Sequence, residues 1–435
     1  MSDTSEGISG QVYEFLVEDG EERACDAISD EACVETPGNF LLNGLNGFCT
    51  KLAEQIASPE LIMPYIFSII GVSPFYSGLL VPVKNTGSLL PQLMVSAKIR
   101  AFKIRKYFWA AAGFFQGVML LLMALTFTHL ENNVGLIIVF LLLLFSVASG
   151  VGSIAFKDVL GKTIPKGKRG RLLSFRATGG GFLTVIAGLF LYFFIDKNSS
   201  VDSFSNLFIV AGILWILSAL LFAFINENPG ATSGGRSPID EVRKGWFLLK
   251  TDNNFLNFLI TRSLLLAIPL VQPFLIVFAT ERLDVKLSGL GLFVIATGVS
   301  NTISSPFWGK FSDRSSKKVM MVSSGFAFLI CAYVLMFDFL PKDFQTIYAY
   351  GPVFFLIIMA YGGARMARKT YLVDYAPADE RPLYVSVANT FMGIITLFSG
   401  ILSLVAGFFG VKIMIATLMS LMLISIFFAG KLKEI

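Results

Sequence analysis

Long apolar runs alternate with short polar, mostly basic segments along the chain. A membrane-spanning helix needs about 20 mostly apolar residues, and twelve stretches meet this criterion. They cover approximately residues 53–72, 75–97, 107–128, 134–156, 172–195, 204–226, 255–279, 288–309, 319–340, 346–368, 383–409 and 411–430. The pattern predicts an all-α integral membrane protein with twelve transmembrane helices, called spans one to twelve here.

The polar segments divide the chain into larger units. Residues 1–38 form an acidic tail with eleven Asp or Glu and a single basic residue, Arg23. Asn39–Gln55 mixes polar and apolar residues and marks a candidate start of span one. The polar stretch 227–254 is interpreted as a cytoplasmic linker that ends in a short surface helix. It separates an N-terminal six-helix half, 39–226, from a C-terminal half, 255–435.

The two halves also resemble each other in sequence. When Lys157–Gly188 is compared with Lys369–Gly400, at an offset of 212 residues, nine of 32 positions are identical, whereas about two are expected from ordinary composition. Pro165 and Arg169 recur as Pro377 and Arg381. The repeat predicts that Arg169 and Arg381 hold equivalent positions in the two halves.

The distribution of Lys and Arg sets the orientation in the membrane. The loops after spans two, four, eight and ten each hold at least four Lys or Arg, and the alternate loops at most two. Cytoplasmic loops carry such an excess. Both termini are therefore predicted to be cytoplasmic, and the bacterial inner membrane is the expected location.

Composition excludes several classes of protein. The chain is 54% hydrophobic and only 15% charged, whereas soluble domains carry about 25% charged residues. The net charge of +5 does not indicate a nucleic-acid partner, because the basic residues cluster in loops. The single histidine, His129, and the four cysteines show no metal-ligand spacing, and no Walker loop is present, so no metal or cofactor is expected. Cys25 and Cys33 are expected to be thiols in a cytoplasmic tail.

The segment between spans eight and nine, Gly309–Lys318, reads GKFSDRSSKK. Its pattern, G-x-x-x-D-R-x-x-x-K, resembles the loop signature of the major facilitator superfamily of secondary transporters. Gly309 is expected to allow close helix contact, Asp313 to face a helix N-terminus, and Arg314 and Lys318 to hold the loop in the cytoplasm. The first-half counterpart lacks this signature, since Met94 and Lys98 align with Gly309 and Asp313.

The resemblance implies a fold and a mode of action. Members of this superfamily have two parallel halves related by an axis along the membrane normal. The expected function is alternating-access transport of a small solute by a monomer, with protons as a candidate coupling ion. The alternatives are a solute-sensing receptor and a membrane-embedded lipid enzyme, although the chain carries neither a large signalling domain nor clustered catalytic groups.

Polar residues inside the spans are candidates for a transport site, because an ionisable side chain there is costly. The charged candidates are Glu60, Lys84 and Arg262; Arg176, near the start of span five, is interpreted as reaching the interface. The uncharged candidates are Asn85, Gln272 and Asn389, for which helix packing is the alternative role. Spans one and seven each contain two prolines, and interrupted helices at corresponding positions point to a transport site.

Glu60 and Lys84 are predicted to form an ion pair. Spans one and two are joined by a short turn near Gly71–Pro74, and each residue lies about 18 Å from it at 1.5 Å per residue. Pairing offsets much of the cost of burying a charge. Lys84 and Arg262 favour an organic anion as substrate, and Glu60 is the candidate carboxylate for proton coupling.

Overall fold

Helices account for each predicted span in the computed structural model. The structure describes residues 10–11, 13–14, 28–129, 132–165, 168–194, 201–230, 247–283, 285, 287–312, 314–377 and 380–434. Spans two to six are Pro74–Arg100, Lys106–His129, Val134–Thr163, Arg169–Phe194 and Val201–Ala223. Spans eight, nine, ten and twelve are Leu287–Ser312, Ser316–Met336, Ile347–Tyr375 and Val411–Gly430. Span eleven comprises Arg381–Ser399 and Ser403–Phe409, joined by a 3-10 turn.

Nine helical stretches within these described residues are long and apolar enough to cross a membrane, namely spans three to seven and nine to twelve. Spans one, two and eight complete an arrangement consistent with the twelve predicted. The chain is therefore an all-α membrane protein.

Span one starts earlier than the apolar pattern predicted, and it is broken. Its segments are Thr36–Ile56 and Ile62–Ile69, so the helix includes the mixed stretch Asn39–Gln55 that was named as a candidate start. The first segment buries its asparagine side chains inside the protein. Asn46 donates to the Ser218 carbonyl at 3.0 Å and to its hydroxyl at 2.8 Å. Satisfied amides of this kind can enter a membrane helix, but they lower the apparent hydropathy of the segment.

Proline chemistry explains the break in span one. Pro59 lies between the two segments, and a proline lacks an N–H group and disfavours helical geometry in the preceding residue. The Ser58 hydroxyl then accepts from the Ile62 N–H at 3.2 Å, which helps to start the second segment. The interruption leaves Glu60 on non-helical backbone.

Span seven is also divided into two helical segments. Asn253–Leu264 is followed by Ala267–Leu283, and Pro269 lies in the first turn of the second segment, where a missing N–H costs little. Pro273 lies inside that segment. The predicted interruption of both spans is confirmed.

The halves meet where span seven contacts spans one and two, and along two more extensive pairs, spans five and eight and spans two and eleven. Span five of the first half is equivalent to span eleven of the second, and span two is equivalent to span eight. Each of these two pairs is therefore the counterpart of the other, as the repeat requires. Between spans five and eight, a Cβ added to Gly291 would lie 2.6 Å from the Gly188 carbonyl oxygen. Glycine is needed there because the backbones approach so closely.

The repeated loops also match in local structure. The Pro165 carbonyl accepts from the Lys168 N–H at 3.2 Å, and the Pro377 carbonyl accepts from the Glu380 N–H at 3.0 Å. Arg169 and Arg381 each form the first residue of the following helix. Equivalent backbone positions for these arginines are therefore confirmed.

Segments near the two chain ends pack against the helices. Tyr13 is buried against Phe40, with ring centroids 5.3 Å apart, in a cluster with Leu160, Ile164 and Leu172. At the other end, the Lys433 N–H donates to Asn254 Oδ1 at 2.9 Å. Cys33 is disulfide-bonded, so the thiol expected there was wrong. In the predicted linker, residues 247–251 are helical and residues 231–246 lie outside the described part.

Candidate functional site

Glu60 and Lys84 form the predicted ion pair. Lys84 Nζ lies 2.9 Å from Glu60 Oε1, and the side chains are 35% and 26% exposed, respectively. Glu60 comes from the break in span one, and Lys84 from the middle of span two. The pair is thus only partly buried, which leaves both charges accessible to a solute.

Both side chains line a cavity between the two halves. Its volume is about 360 Å³, within the range of small-molecule sites. Spans one, two and five contribute lining residues from the N-terminal half, and spans seven, eight and ten from the C-terminal half. The charged lining residues are Lys51, Glu54, Glu60, Lys84 and Arg365.

Gln272 reaches the same cavity from span seven. It is 4% exposed, and its Nε2 has no hydrogen-bond partner in the part of the chain that the structure describes. Leaving a buried amide donor unsatisfied costs about 1–3 kcal/mol. A buried donor without an acceptor, in a cavity wall, is suited to a solute oxygen.

Arg262 and Asn389, both predicted from sequence, contact each other. Arg262 Nη2 donates to Asn389 Oδ1 at 3.1 Å, which links spans seven and eleven. The Arg262 Nε is buried without an acceptor. Neither residue belongs to the cavity lining, and neither does Asn85, so the predicted candidates fall into two groups.

Several cavity residues were not predicted as site residues. Lys51 and Glu54 form an ion pair of 2.7 Å in the stretch 39–55 that mixes polar and apolar residues, and Lys51 lies before the predicted apolar run. Arg365 is one of the basic residues near the end of span ten that set the predicted orientation, yet it lines the cavity with Tyr361, whose ring centroid lies 5.7 Å from the Arg365 Cζ. The signal available in the sequence was helical spacing: these two residues lie one turn apart on span ten.

The position of Arg176 at the membrane interface stays a prediction, and its guanidinium packs against neighbouring helices. Its Nη1 donates to the Asn43 carbonyl at 2.6 Å and to Asn46 Oδ1 at 2.9 Å. The guanidinium also lies 4.7 Å from the centroid of the Phe156 ring. These contacts tie span five to spans one and four.

The loop between spans eight and nine is described in part. Asp313 lies outside the described residues. A Cβ on Gly309 would meet no atom within 4 Å, so the close contact expected there does not form with the described residues. Ser315 caps span nine by accepting from the Lys318 N–H at 3.2 Å. Arg314 is exposed.

Two broken helices facing a shared cavity between matched halves define a secondary transporter. The sequence model of the Major Facilitator Superfamily matches residues 44–400. The chain therefore belongs to this superfamily, and the predicted resemblance is confirmed.

Individual relatives agree with this assignment. An uncharacterized protein of Mycobacterium tuberculosis is 22% identical over 365 residues, which cover 82% of this chain and 70% of that protein. The nucleoside transporter NupG superposes with a TM-score of 0.67 at 12% identity, covering 91% of this chain and 100% of that one. A D-xylose–proton symporter superposes with a TM-score of 0.65 at 15% identity, covering 91% and 97%. These structural similarities establish the shared fold.

Proposed function

We propose that this secondary transporter carries a small organic anion through the central cavity by alternating access. The charged lining side chains comprise three cations and two carboxylates, so the cavity favours a solute with negative charge. Arginine and lysine bind carboxylate and phosphate oxygens through charge-assisted hydrogen bonds. Gln272 supplies a further donor. The solute leaves chemically unchanged, in contrast to the product of a lipid enzyme.

The Glu60–Lys84 contact is the observation that carries a coupling role. Protonation of Glu60, or arrival of an anion at Lys84, breaks the 2.9 Å contact and frees the other partner. Glu60 lies in the break of span one, where the backbone is not helical. Loss of the Glu60–Lys84 contact therefore releases a segment that helical hydrogen bonds do not hold. Binding and conformation are linked when a ligand favours one of two states.

The test is uptake into proteoliposomes with an imposed pH gradient, over a panel of organic anions, cations and neutral solutes. Glu60→Gln, Lys84→Met and the double variant are compared with Lys51→Met, which removes a cavity cation of the more exposed ion pair. We expect the two single variants to lose pH-gradient-driven anion uptake. Folded variants that keep normal gradient dependence would contradict the coupling role. Ligand-induced signals without flux would favour a solute-sensing receptor.

The signature loop is proposed to control conformational cycling rather than recognition. Gly309, Arg314 and Lys318 flank Asp313 in the segment that joins spans eight and nine. Asp313→Asn is expected to lower turnover with little change in solute affinity. The protein is further proposed to act as a monomer in the bacterial inner membrane, with both termini in the cytoplasm.

A further inference from the structure

A cluster of cations lies beside the cavity and outside the Glu60–Lys84 pair. Arg365, Arg368 and Lys369 are spaced i, i+3 and i+4 on span ten, which is a continuous helix over Ile347–Tyr375. This spacing places them on one helix face, with neighbouring Cβ atoms about 5–6 Å apart. Arg365 also lines the cavity, so this face extends the cavity wall.

Two further cations approach this face from other helices. Arg262 of span seven interacts electrostatically with Arg368. Lys369 interacts with Arg262, Arg365 and Arg368, and also with Lys157 of span four. Lys157 and Lys369 are equivalent residues of the internal repeat, so the cluster bridges the two halves. We call these five residues the basic vestibule.

The basic vestibule has no carboxylate partner among the residues that the structure describes. The nearby acidic side chains pair elsewhere: Asp158 with Arg105 and Lys162, and Glu60 with Lys84. The described polar contacts of the vestibule are with neutral groups, Asn389 and the Tyr361 ring. The Arg262 Nε is buried and has no acceptor among the described residues.

This arrangement is unfavourable without an anion. Like charges repel, and the repulsion grows where protein replaces water. Positively charged loop residues in a membrane protein are normally dispersed in solvent, whereas the Arg262 guanidinium lies between helices with one donor unsatisfied. Clefts lined by charges of one sign concentrate counter-ions from solution, and arginine donates to carboxylate and phosphate with matching geometry.

We propose that the basic vestibule binds a small anion carrying two or more negative charges, of the phosphate or polycarboxylate class, before it passes to the cavity at Arg365. This inference rests on the proposed anion transport and narrows the substrate class. It differs from the Glu60–Lys84 proposal because it concerns equilibrium binding at other side chains. An anionic lipid headgroup offers the same phosphate chemistry from a different source.

The test measures binding of pyrophosphate and of acetate to the purified, full-length protein in a neutral detergent at constant ionic strength, by calorimetry. We expect pyrophosphate to bind at least tenfold more tightly than acetate. Arg368→Gln and Arg365→Gln should each weaken pyrophosphate binding about tenfold or more, the effect of losing one charged hydrogen bond. Arg365 is exposed, so its variant is expected to fold normally.

The matched controls separate the possible failures. Arg282→Gln removes an exposed arginine of span seven that faces Asp338, and it should leave binding unchanged. Lys84→Met tests the proposed transport separately: loss of transport in Lys84→Met alongside unchanged pyrophosphate binding in Arg368→Gln would overturn the vestibule and leave the transport proposal standing. Equal affinity for acetate and pyrophosphate, or equal loss in Arg282→Gln and Arg368→Gln, would overturn the proposal.

A second arm identifies the source of the anion. The protein is placed in phosphatidylcholine nanodiscs with or without phosphatidic acid, and pyrophosphate binding is measured again. Unchanged binding indicates a soluble anion. The other outcome is that phosphatidic acid competes with pyrophosphate and that this competition disappears in Arg368→Gln. That result assigns the vestibule to a lipid phosphate and overturns the proposed transfer of a solute to the cavity.

Discussion

At the residue scale, the two broken helices present different side chains at matching positions. Glu60 and Gln272 are separated by 212 residues, the offset of the internal repeat, and both line the cavity. The carboxylate has a lysine partner, whereas the amide donor has none. The same repeat position therefore carries a charged group in the first half and a hydrogen-bond donor in the second.

Gln272→Leu is expected to weaken solute binding without unfolding the protein. A hydrogen bond to a charged oxygen contributes about 1.5–3 kcal/mol, so the apparent KM should rise about tenfold or more. Removing an unsatisfied buried amide should leave thermal stability equal or higher.

Gln116→Leu is the matched control, because Gln116 is 2% exposed and its Nε2 also lacks a partner, yet it lies outside the cavity lining. Its apparent KM should not change. A rise in KM of similar size in both variants would show that Gln272 acts through general packing.

The residues also show which parts of the site were predictable. The Glu60–Lys84 pair was predicted by counting residues from the short turn between spans one and two. This estimate of depth holds although span one is broken at Glu60. Lys51 was missed because Asn43 and Asn46 made the stretch around it look polar, and their internal hydrogen bonds cannot be read from hydropathy. Arg365 was missed because a basic residue near a helix end is ordinarily topological.

At the element scale, helix ends are held together by buried charges in the N-terminal half. The Glu227 carboxylate accepts from the backbone N–H groups of Arg105 and Lys106, at 2.8 Å and 2.7 Å, and lies 2.8 Å from Lys162 Nζ. Its side chain is fully buried. A carboxylate is favoured at the start of a helix, and here it joins spans three, four and six. This network lies at the loop between spans two and three. That loop lacks the Asp-Arg pair found in the loop between spans eight and nine.

Glu227→Gln should destabilise the protein by roughly 3 kcal/mol, because it leaves Lys162 with one fewer partner in a buried site. The measurement is the melting temperature in detergent. Asp338→Asn, at a more exposed site with Lys412 and Arg282, should have a smaller effect. Equal melting temperatures for both variants would exclude a structural role for Glu227.

Close helix contact between spans five and eight gives a second prediction at this scale. Gly291→Ala places a methyl group 2.6 Å from the Gly188 carbonyl, and overpacking of this kind costs about 1–3 kcal/mol. We expect reduced transport, because the halves cannot close along this pair.

Gly309→Ala is the control for Gly291→Ala, since no described atom lies within 4 Å of its added Cβ. It should be tolerated in folding. Wild-type uptake by Gly291→Ala would mean that the halves do not close tightly along spans five and eight.

At the scale of the whole molecule, the described segments nearest the two chain ends lie on one face. Tyr13 packs near the start of span one and the end of span four, while Lys433 contacts the start of span seven. Lys157 and Lys369, near the ends of spans four and ten, interact with each other, so these faces of the two halves coincide. The repeat and the loop charges had predicted this arrangement, but the tight packing of the chain ends depends on contacts distant in sequence.

Fusion reporters test the membrane orientation of this face. Green fluorescent protein at the C-terminus should fluoresce, and alkaline phosphatase at the same position should be inactive, because both the loop charges and an even number of spans place it in the cytoplasm. Active phosphatase would reverse the proposed topology.

The stretch between Gly230 and Phe247 is also a natural place to cut the gene. Every hydrogen bond described for Glu227 stays within the N-terminal fragment. The bonds of Asp252 to Tyr375 and Tyr384 stay within the C-terminal fragment. Two separately translated polypeptides should therefore reassemble in the membrane through the glycine contact of spans five and eight, so that each half could be exchanged, labelled or evolved on its own.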